Sequence, residues 1–225
     1  MSAIETMIRH TGSLPNVRSR TRNLGRWVAS ASACVAVLAA GCGAPKPVHY
    51  FQLTHPPTTA ISTAQTPIDA IILVRPLATT HLYRDDRIVY GDNSVELGLY
   101  DNNRWSEPPS ELLRDALARG LRSSGEFRAV TTLRSEMGID YYLTGQLYAF
   151  REVTGNGIAA KLHYDLELVD VRKGKTVWRH SYDRDEPVSG KTVADVVMAM
   201  DKNVHASVQE AQDGMVQALR EYVQK

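Results

Sequence analysis

Apolar and polar residues alternate most regularly between Ile158 and Val171. In that segment Leu162, Tyr164, Leu166 and Leu168 are separated by Lys161, His163, Asp165 and Glu167. A period of two predicts a β-strand with one buried face and one face in water. The turn residues Arg172–Lys175 follow, and Thr176–Tyr182 is predicted to return as an antiparallel partner.

Five other segments have the composition of strands. They are Val48–Leu53, Ile68–Pro76, Asp86–Tyr90, Ser94–Tyr100 and Tyr141–Glu152. The continuous apolar run in Ile68–Pro76 predicts a strand that is buried on both faces. Polar and proline-rich residues predict a loop over Thr54–Pro67, a turn at Gly91–Asn93 and a strand end at Asp101–Asn103.

Two segments have helical spacing of apolar residues. The first runs from Ser106 to Ser123, with Ser106 as the predicted N-cap, Pro108 and Pro109 at the entry, and Gly125 as the stop signal. The second begins near Thr192, where Asp195 predicts a capping box, and continues to the end of the chain. The order of strands and helices predicts an α/β fold of the α+β type. We expect a mixed, largely antiparallel sheet with both helices packed on one face.

The amino-terminal segment has the three-part layout of a secretory signal. Basic residues precede an apolar stretch from Trp27 to Ala40, and the small residues before Cys42 resemble the cleavage site of a bacterial lipoprotein. That resemblance implies removal of residues 1–41, acylation of Cys42 and anchoring to a membrane by several acyl chains. Two alternatives remain: an ordinary secretory signal with a chance cysteine, and a short anchor helix. We expect residues 42–47 to form a short linker and residues 48–225 to form one periplasmic domain.

Charge and cysteine content narrow the function classes. Removal of residues 1–41 takes five of 26 basic and one of 25 acidic residues, which leaves 21 against 24, a net charge of −3. A mildly acidic domain lacks the basic surface of a nucleic-acid-binding protein. The only cysteines are Cys34 and Cys42, so we expect the mature domain to contain no disulfide, cysteine metal site or thiol nucleophile.

Several segments, in order, resemble the ABC-type transport auxiliary lipoprotein family, the lipoprotein component of MCE-type and paraquat-inducible lipid transport systems. After Cys42 these are Tyr50–Leu53, Leu82–Tyr90, Asn103–Pro109, the alternating strand with its turn, Val177–Arg179, Pro187–Val188 and the last helix. The resemblance implies a fold like the amino-terminal domain of TolB and a non-enzymatic accessory role without a cofactor. It also implies an MCE-domain protein and an ABC permease and ATPase as partners. Some family members form rings, so a homo-oligomer is possible.

The same resemblance places the domain in the periplasm, on a lipid anchor in the outer membrane or less often in the inner membrane. Gly43 follows the acylated cysteine, and the absence of aspartate there favours the outer membrane.

Two segments are candidate docking sites for a partner. Trp105, Glu107 and Pro108 could form a docking surface, although an aromatic residue before a helix more often packs beneath its first turn. Asp85 and Arg87 could bind through their charges, although such a cluster is more often a turn or a local ion pair.

Other chemistry has weaker support. His163, Asp165 and Glu167 share one strand face and could hold a metal, but strand alternation alone produces such a row. Gly190–Thr192 matches only the end of a phosphate-binding loop, and a helix cap explains it better. No nucleophile and base pair is visible. The leading hypothesis is therefore a transport accessory subunit, with an outer-membrane assembly lipoprotein that partners a β-barrel as the alternative and an envelope enzyme as the third.

Overall fold

A mixed sheet of nine strands and two α-helices form the part of the chain that the computed structural model describes, namely residues 46–54, 66–92, 95–133, 138–155 and 157–224. The signal segment, Cys42 and residues 43–45 lie outside these ranges. The elements follow in the order β1 (His49–Phe51), β2 (Ile68–Val74), β3 (Ala78–Thr79), a 3₁₀ helix (His81–Arg84), β4 (Arg87–Gly91), β5 (Gly98–Trp105), α1 (Pro109–Ser123), β6 (Phe127–Thr131), β7 (Tyr141–Val153), β8 (Ala159–Asp170), β9 (Lys175–Pro187) and α2 (Val193–Val223).

Strand β7 is the central strand of the sheet. Along one edge it pairs in parallel with β2, then with β3 and then with β4, while its other edge pairs with β8 along its whole length. The β7–β8 and β8–β9 pairings are antiparallel and are the longest in the sheet. Strand β6 lies beyond β2, and β5 and β1 lie beyond β4. The α+β class, the mixed sheet and the two helices are confirmed, and the sheet curls into a half-barrel.

The alternation in β8 produces the expected two faces. Leu162, Tyr164 and Leu168 are fully buried beneath the helices, whereas Lys161 and His163 stay partly open on the other face. Strand β2 is largely buried, as its apolar run predicts, because it lies between β6 and β7. Burial of such side chains is the main source of stability, at roughly 1.5–3 kcal/mol for each large apolar side chain.

Helix α1 begins later than Ser106 predicts. Its N-cap is Pro108, no side chain caps it, and the backbone N–H of Ser106 instead donates to the Phe51 carbonyl at 2.6 Å. Ser106 is therefore held by β1, and the prediction that it caps the helix is wrong. Pro109 occupies the first helical position, where a missing N–H costs nothing. Gly125 follows the helix with φ +68°, as a stop residue requires.

Helix α2 begins as predicted. The backbone N–H of Asp195 donates to the Thr192 hydroxyl at 3.2 Å, and the Thr192 N–H donates to the Asp195 carboxylate at 2.9 Å. This reciprocal cap stabilises the first turn of a 31-residue helix. Within the described residues no helix is both long enough and apolar enough to cross a membrane.

Two parts of the strand prediction are wrong. The polar residues 101–103 continue β5 rather than ending a strand, because β5 pairs with both β4 and β1 and its side chains need only partial burial. Strand β6 was not predicted, since its five residues alternate weakly and gain order from the parallel pairing with β2. Residues 93 and 94, in the predicted turn and at the predicted start of β5, lie outside the described residues.

Helix α2 covers β8 and β9, and α1 packs beside it. The hydroxyl group of Tyr182 donates to the Asn203 side-chain oxygen at 2.7 Å, and the Asn203 amide donates to the carbonyls of Ala160 and Arg184 at 3.0 Å each. Asn203 is 2% exposed, so these bonds connect α2 to both strands inside the core.

Candidate partner-docking site

Three segments that are distant in sequence meet at one end of the β1–β5–β4 part of the sheet. The backbone N–H of Trp105 donates to the Asp86 carbonyl at 2.6 Å, and the backbone N–H of Ser106 donates to the Phe51 carbonyl at 2.6 Å. The parallel register of β1 places Phe51 opposite Trp105. This arrangement, the three-segment junction, brings together both candidate docking segments of the sequence.

Ion pairs fix the loop before β4. The Arg87 guanidinium donates two hydrogen bonds of 3.0 Å to the two carboxylate oxygens of Asp85, and its backbone N–H donates a third at 2.9 Å. These bonds lower the pKa of Asp85 to about 2. Arg104 of β5 binds Asp86 at 2.5 Å. The charged segment is thus a local, ordered ion-pair cluster, and its side chains remain about one third exposed.

Trp105 belongs to the core beneath the junction. Its side chain is 1% exposed, and its ring meets Phe150 edge to face with centroids 5.1 Å apart. Such a contact adds about 0.5–1.5 kcal/mol to the burial of the ring. The indole therefore supports the junction from below. Glu107 is exposed and Pro108 is half-buried, so these two residues carry the part of the segment that a partner can reach.

The polar face of β8 forms a ladder of cross-strand contacts. Lys161 bridges Asp183 at 2.7 Å and Asp185 at 3.2 Å on β9, and its ammonium group lowers the pKa of Asp183. The other side chains of this face also have partners. His163 lies against the Tyr148 ring, Asp165 accepts from the Tyr148 hydroxyl, and Glu167 pairs with Arg179. The described residues contain no cluster of three or more His, Cys, Asp or Glu with metal-site geometry.

The residues that resemble a phosphate loop cap α2. The backbone N–H groups of Lys191 and Thr192 donate to the Asp195 carboxylate at 3.1 and 2.9 Å. The Asp195 carboxylate accepts the hydrogen bonds that a bound anion would accept in a phosphate-binding loop. The helix-cap interpretation requires this geometry.

Sequence reasoning missed the ion pair across the β-hairpin and the buried amide in α2. Arg104 and Asp86 are 18 positions apart, and only the bulged register of β4 with β5 brings them together. Asn203 was recognisable in principle, because it interrupts the apolar stripe between Met200 and Val204. A polar residue at such a position signals a buried hydrogen-bond network.

Comparison with known proteins gives a family match over most of the chain. The model of the ABC-type transport auxiliary lipoprotein component matches residues 51–212. No curated protein matches the chain. A solved structure from Xanthomonas campestris, assigned to the family DUF330, is similar with a TM-score of 0.69 and 18% identity, over 78% of this chain and 99% of that chain. A second, uncharacterised protein is similar with a TM-score of 0.61 and 15% identity, over 76% and 99%. At these identities both structures show the shared fold.

Proposed function

The chain belongs to the ABC-type transport auxiliary lipoprotein family, and we infer that it is an auxiliary component of an ABC-type transport system in the cell envelope. On that premise we propose that it is a non-enzymatic accessory subunit of a lipid transporter. In this proposal an MCE-domain protein carries lipid between the membranes, and an ABC permease and ATPase drive the transport. This chain receives or stabilises the periplasmic end of the MCE assembly.

The observation that carries the proposal is the extent of the family match. Residues 51–212 run from the last residue of β1 to Gln212 within α2, so the match includes every strand and both helices at least in part. The family's defining role therefore applies to this whole sheet and not to a separate appended domain.

Anchoring through Cys42 supports a role at the membrane surface. Six residues, 43–48, separate Cys42 from the start of β1, and an extended chain of that length spans at most about 20 Å. An acylated Cys42 would therefore keep the domain next to the bilayer. We place the anchor in the outer membrane, facing the periplasm, because Gly43 rather than aspartate follows the cysteine.

The three-segment junction is the surface that we assign to the MCE partner. It is rigid, because main-chain hydrogen bonds join β1, β4 and β5 there and two ion pairs hold the adjoining loop. Rigid surfaces lose little conformational entropy on binding. Glu107 supplies an exposed negative charge at this end, and the mutually paired Asp85 and Arg87 beside it are partly exposed, which favours a partner with a positively charged contact.

Co-purification from gently solubilised envelopes tests the proposed function. A tagged full-length chain should recover the MCE, permease and ATPase subunits, identified by mass spectrometry. Recovery of a β-barrel protein instead would support the outer-membrane assembly alternative. Recovery of neither group after chemical cross-linking would reject the accessory role.

A further inference from the structure

A cleft of about 440 Å³ opens beside the first turn of α1. Its walls come from the segment after β2, from β3, from the end of the 3₁₀ helix, from the start of α1 and from β7. The residues that the argument uses are Arg75, Arg84, Ser110, Glu111 and Thr144. We call it the arginine cleft.

Two arginines of this cleft lack acidic partners. Within the described ranges neither Arg75 nor Arg84 forms an ion pair, and the Arg75 guanidinium lies only over the Tyr142 ring, 5.2 Å from its centroid. The neighbouring Arg87, by contrast, is neutralised by Asp85. Both arginines are exposed, and without an ion pair among the described residues each guanidinium group can donate to a bound anion.

Ser110 provides an independent sign of a ligand. Its side chain is 6% exposed and lines the cleft, and among the described residues its hydroxyl group has no hydrogen-bond partner. Solvent reaches this hydroxyl group through the cleft, so a ligand there can take its hydrogen bond. Ser110 is also the second residue of α1, and Pro108 caps the helix with no side-chain acceptor. In this first turn Pro109 has no N–H, and the N–H groups of Glu111 and Leu112 donate to the Pro108 carbonyl, so the Ser110 N–H is the donor left for a ligand.

The remaining polar groups of the cleft agree with an anion as the ligand. Thr144 lines the cleft and has no side-chain hydrogen bond to the described residues, so its hydroxyl group is available as a donor. Glu111 also lines it, but its carboxylate is engaged by Arg114. Thr79 already donates to the Leu147 carbonyl at 3.0 Å. The available groups are therefore two guanidinium groups, two hydroxyls and the backbone N–H of Ser110.

We propose that the arginine cleft binds a phosphate group. Donors that approach from four segments suit a tetrahedral oxyanion with several acceptor oxygens better than a flat carboxylate, which two donors satisfy. Free phosphate and the headgroup of a phospholipid share this chemistry. The cleft borders the three-segment junction, since Arg84 precedes Asp85 and Ser110 follows Pro108 by two residues, but the proposal holds whether or not the chain contacts an MCE protein.

Calorimetric titration of the full-length, detergent-solubilised protein tests the proposal with three water-soluble probes. They are inorganic phosphate, glycerophosphoglycerol as a deacylated phospholipid headgroup, and glycerol as the phosphate-free control. We expect saturable binding of at least one phosphate probe and none of glycerol. Tighter binding of glycerophosphoglycerol would identify a headgroup as the source, and tighter binding of inorganic phosphate would identify the free ion.

Variants connect the binding to the cleft. Arg75→Gln and Arg84→Gln should each weaken binding about tenfold, the usual effect of losing one charge-assisted hydrogen bond. Ser110→Ala should weaken it several-fold without lowering Tm. Arg179→Gln, which removes the same charge from the far strand β9, should leave binding unchanged. Binding of neither phosphate probe, equal binding by the Arg84→Gln variant, or occupation of the cleft by an acidic peptide alone would overturn the proposal.

Discussion

A β-carbon at position 120 would lie 2.2 Å from the Cγ1 atom of Val208, because the two α-helices touch at Gly120. Real β-carbons do not approach other carbons so closely. The glycine therefore sets how near α1 lies to α2, and both helices depend on that spacing to cover the sheet.

Gly120→Ala should destabilise the domain by about 1–2 kcal/mol. Overpacking at a tight contact costs about 1–3 kcal/mol, and the better helix propensity of alanine returns up to about 1 kcal/mol. Urea unfolding measures the change. Gly138→Ala is the matched control, because an added β-carbon there meets no atom within 4 Å.

A double-mutant cycle separates the clash from other effects. Val208→Ala removes the atom that obstructs position 120, so Gly120→Ala should cost at least about 0.5 kcal/mol less in that background. Equal costs in the two backgrounds would show that the helices do not interact through this contact.

Asn203→Ala should lower the free energy of unfolding by about 2–4 kcal/mol. It removes the partner of the Tyr182 hydroxyl and leaves the carbonyls of Ala160 and Arg184 without their amide donor in the core. Gln209→Ala, an amide deletion on the exposed side of the same helix, should change stability by less than about 0.5 kcal/mol. Similar losses for both variants would refute the role of the buried network.

Stability should depend on Asp85 at acid pH. The pKa of Asp85 is lowered to about 2 by Arg87, so its contribution is fully present above its ordinary pKa near 4 and is lost as the pH falls towards 2. Because the pair is partly exposed, we expect Asp85→Asn to cost less than about 1 kcal/mol at pH 6. The difference from the wild type should shrink between pH 4 and pH 2. Unfolding curves at pH 6, 4 and 3 measure it, and a constant difference would contradict the ion-pair explanation.

Glu107→Lys should reduce recovery of the MCE partner at least several-fold. The charge reversal changes an exposed residue of the three-segment junction without touching the core, so Tm should stay within about 2 °C. Asp213→Lys makes the same charge change on the exposed side of α2 and serves as the control. If both variants recover the partner equally well, the docking surface lies elsewhere.

Cys42→Ser should abolish acylation and move the chain from the membrane fraction to the soluble periplasmic fraction. Several acyl chains give stable anchoring, and the serine hydroxyl replaces the thiol that would carry them. Metabolic labelling with a fatty acid and mass spectrometry of the mature amino terminus measure the result. Labelling that persists in Cys42→Ser, or an unacylated wild-type terminus, would rule out this anchor.

The local features of the fold follow from sequence because their causes are local. Period two in Leu162–Leu168 identifies β8 and its buried face, and the Thr192 and Asp195 pair identifies the start of α2. Strand pairing cannot be predicted in this way, because the alternation that predicts a buried side chain does not specify which strand lies beside it. The pairing of Phe127–Thr131 with β2, and the register that joins Arg104 to Asp86, depend on contacts between distant segments.

For the candidate site, too, the local segments could be predicted from sequence and the contacts between distant segments could not. Sequence identified the segments around Asp85 and Trp105 as two separate candidates, and only the hydrogen bond from Trp105 to Asp86 places them at one end of the sheet. Sequence favoured packing of Trp105 beneath the helix start, but it could not name the contact, because the Phe150 ring lies 45 residues further along. The unpaired state of Arg75 and Arg84 is a property of surroundings that no local pattern records.

The short strand β1 has a mechanical consequence. It runs parallel to β5, and three residues after its end the backbone N–H of Thr54 donates to the Asp201 carboxylate of α2 at 2.8 Å. A pull on the chain ahead of Pro47 acts along β1, so the ladder to β5 is strained in shear, with its hydrogen bonds sharing the load instead of opening one by one. Force on the amino-terminal tether would then be transmitted to β5 and α2 together, so the short strand β1 would resist extension of the domain from that end.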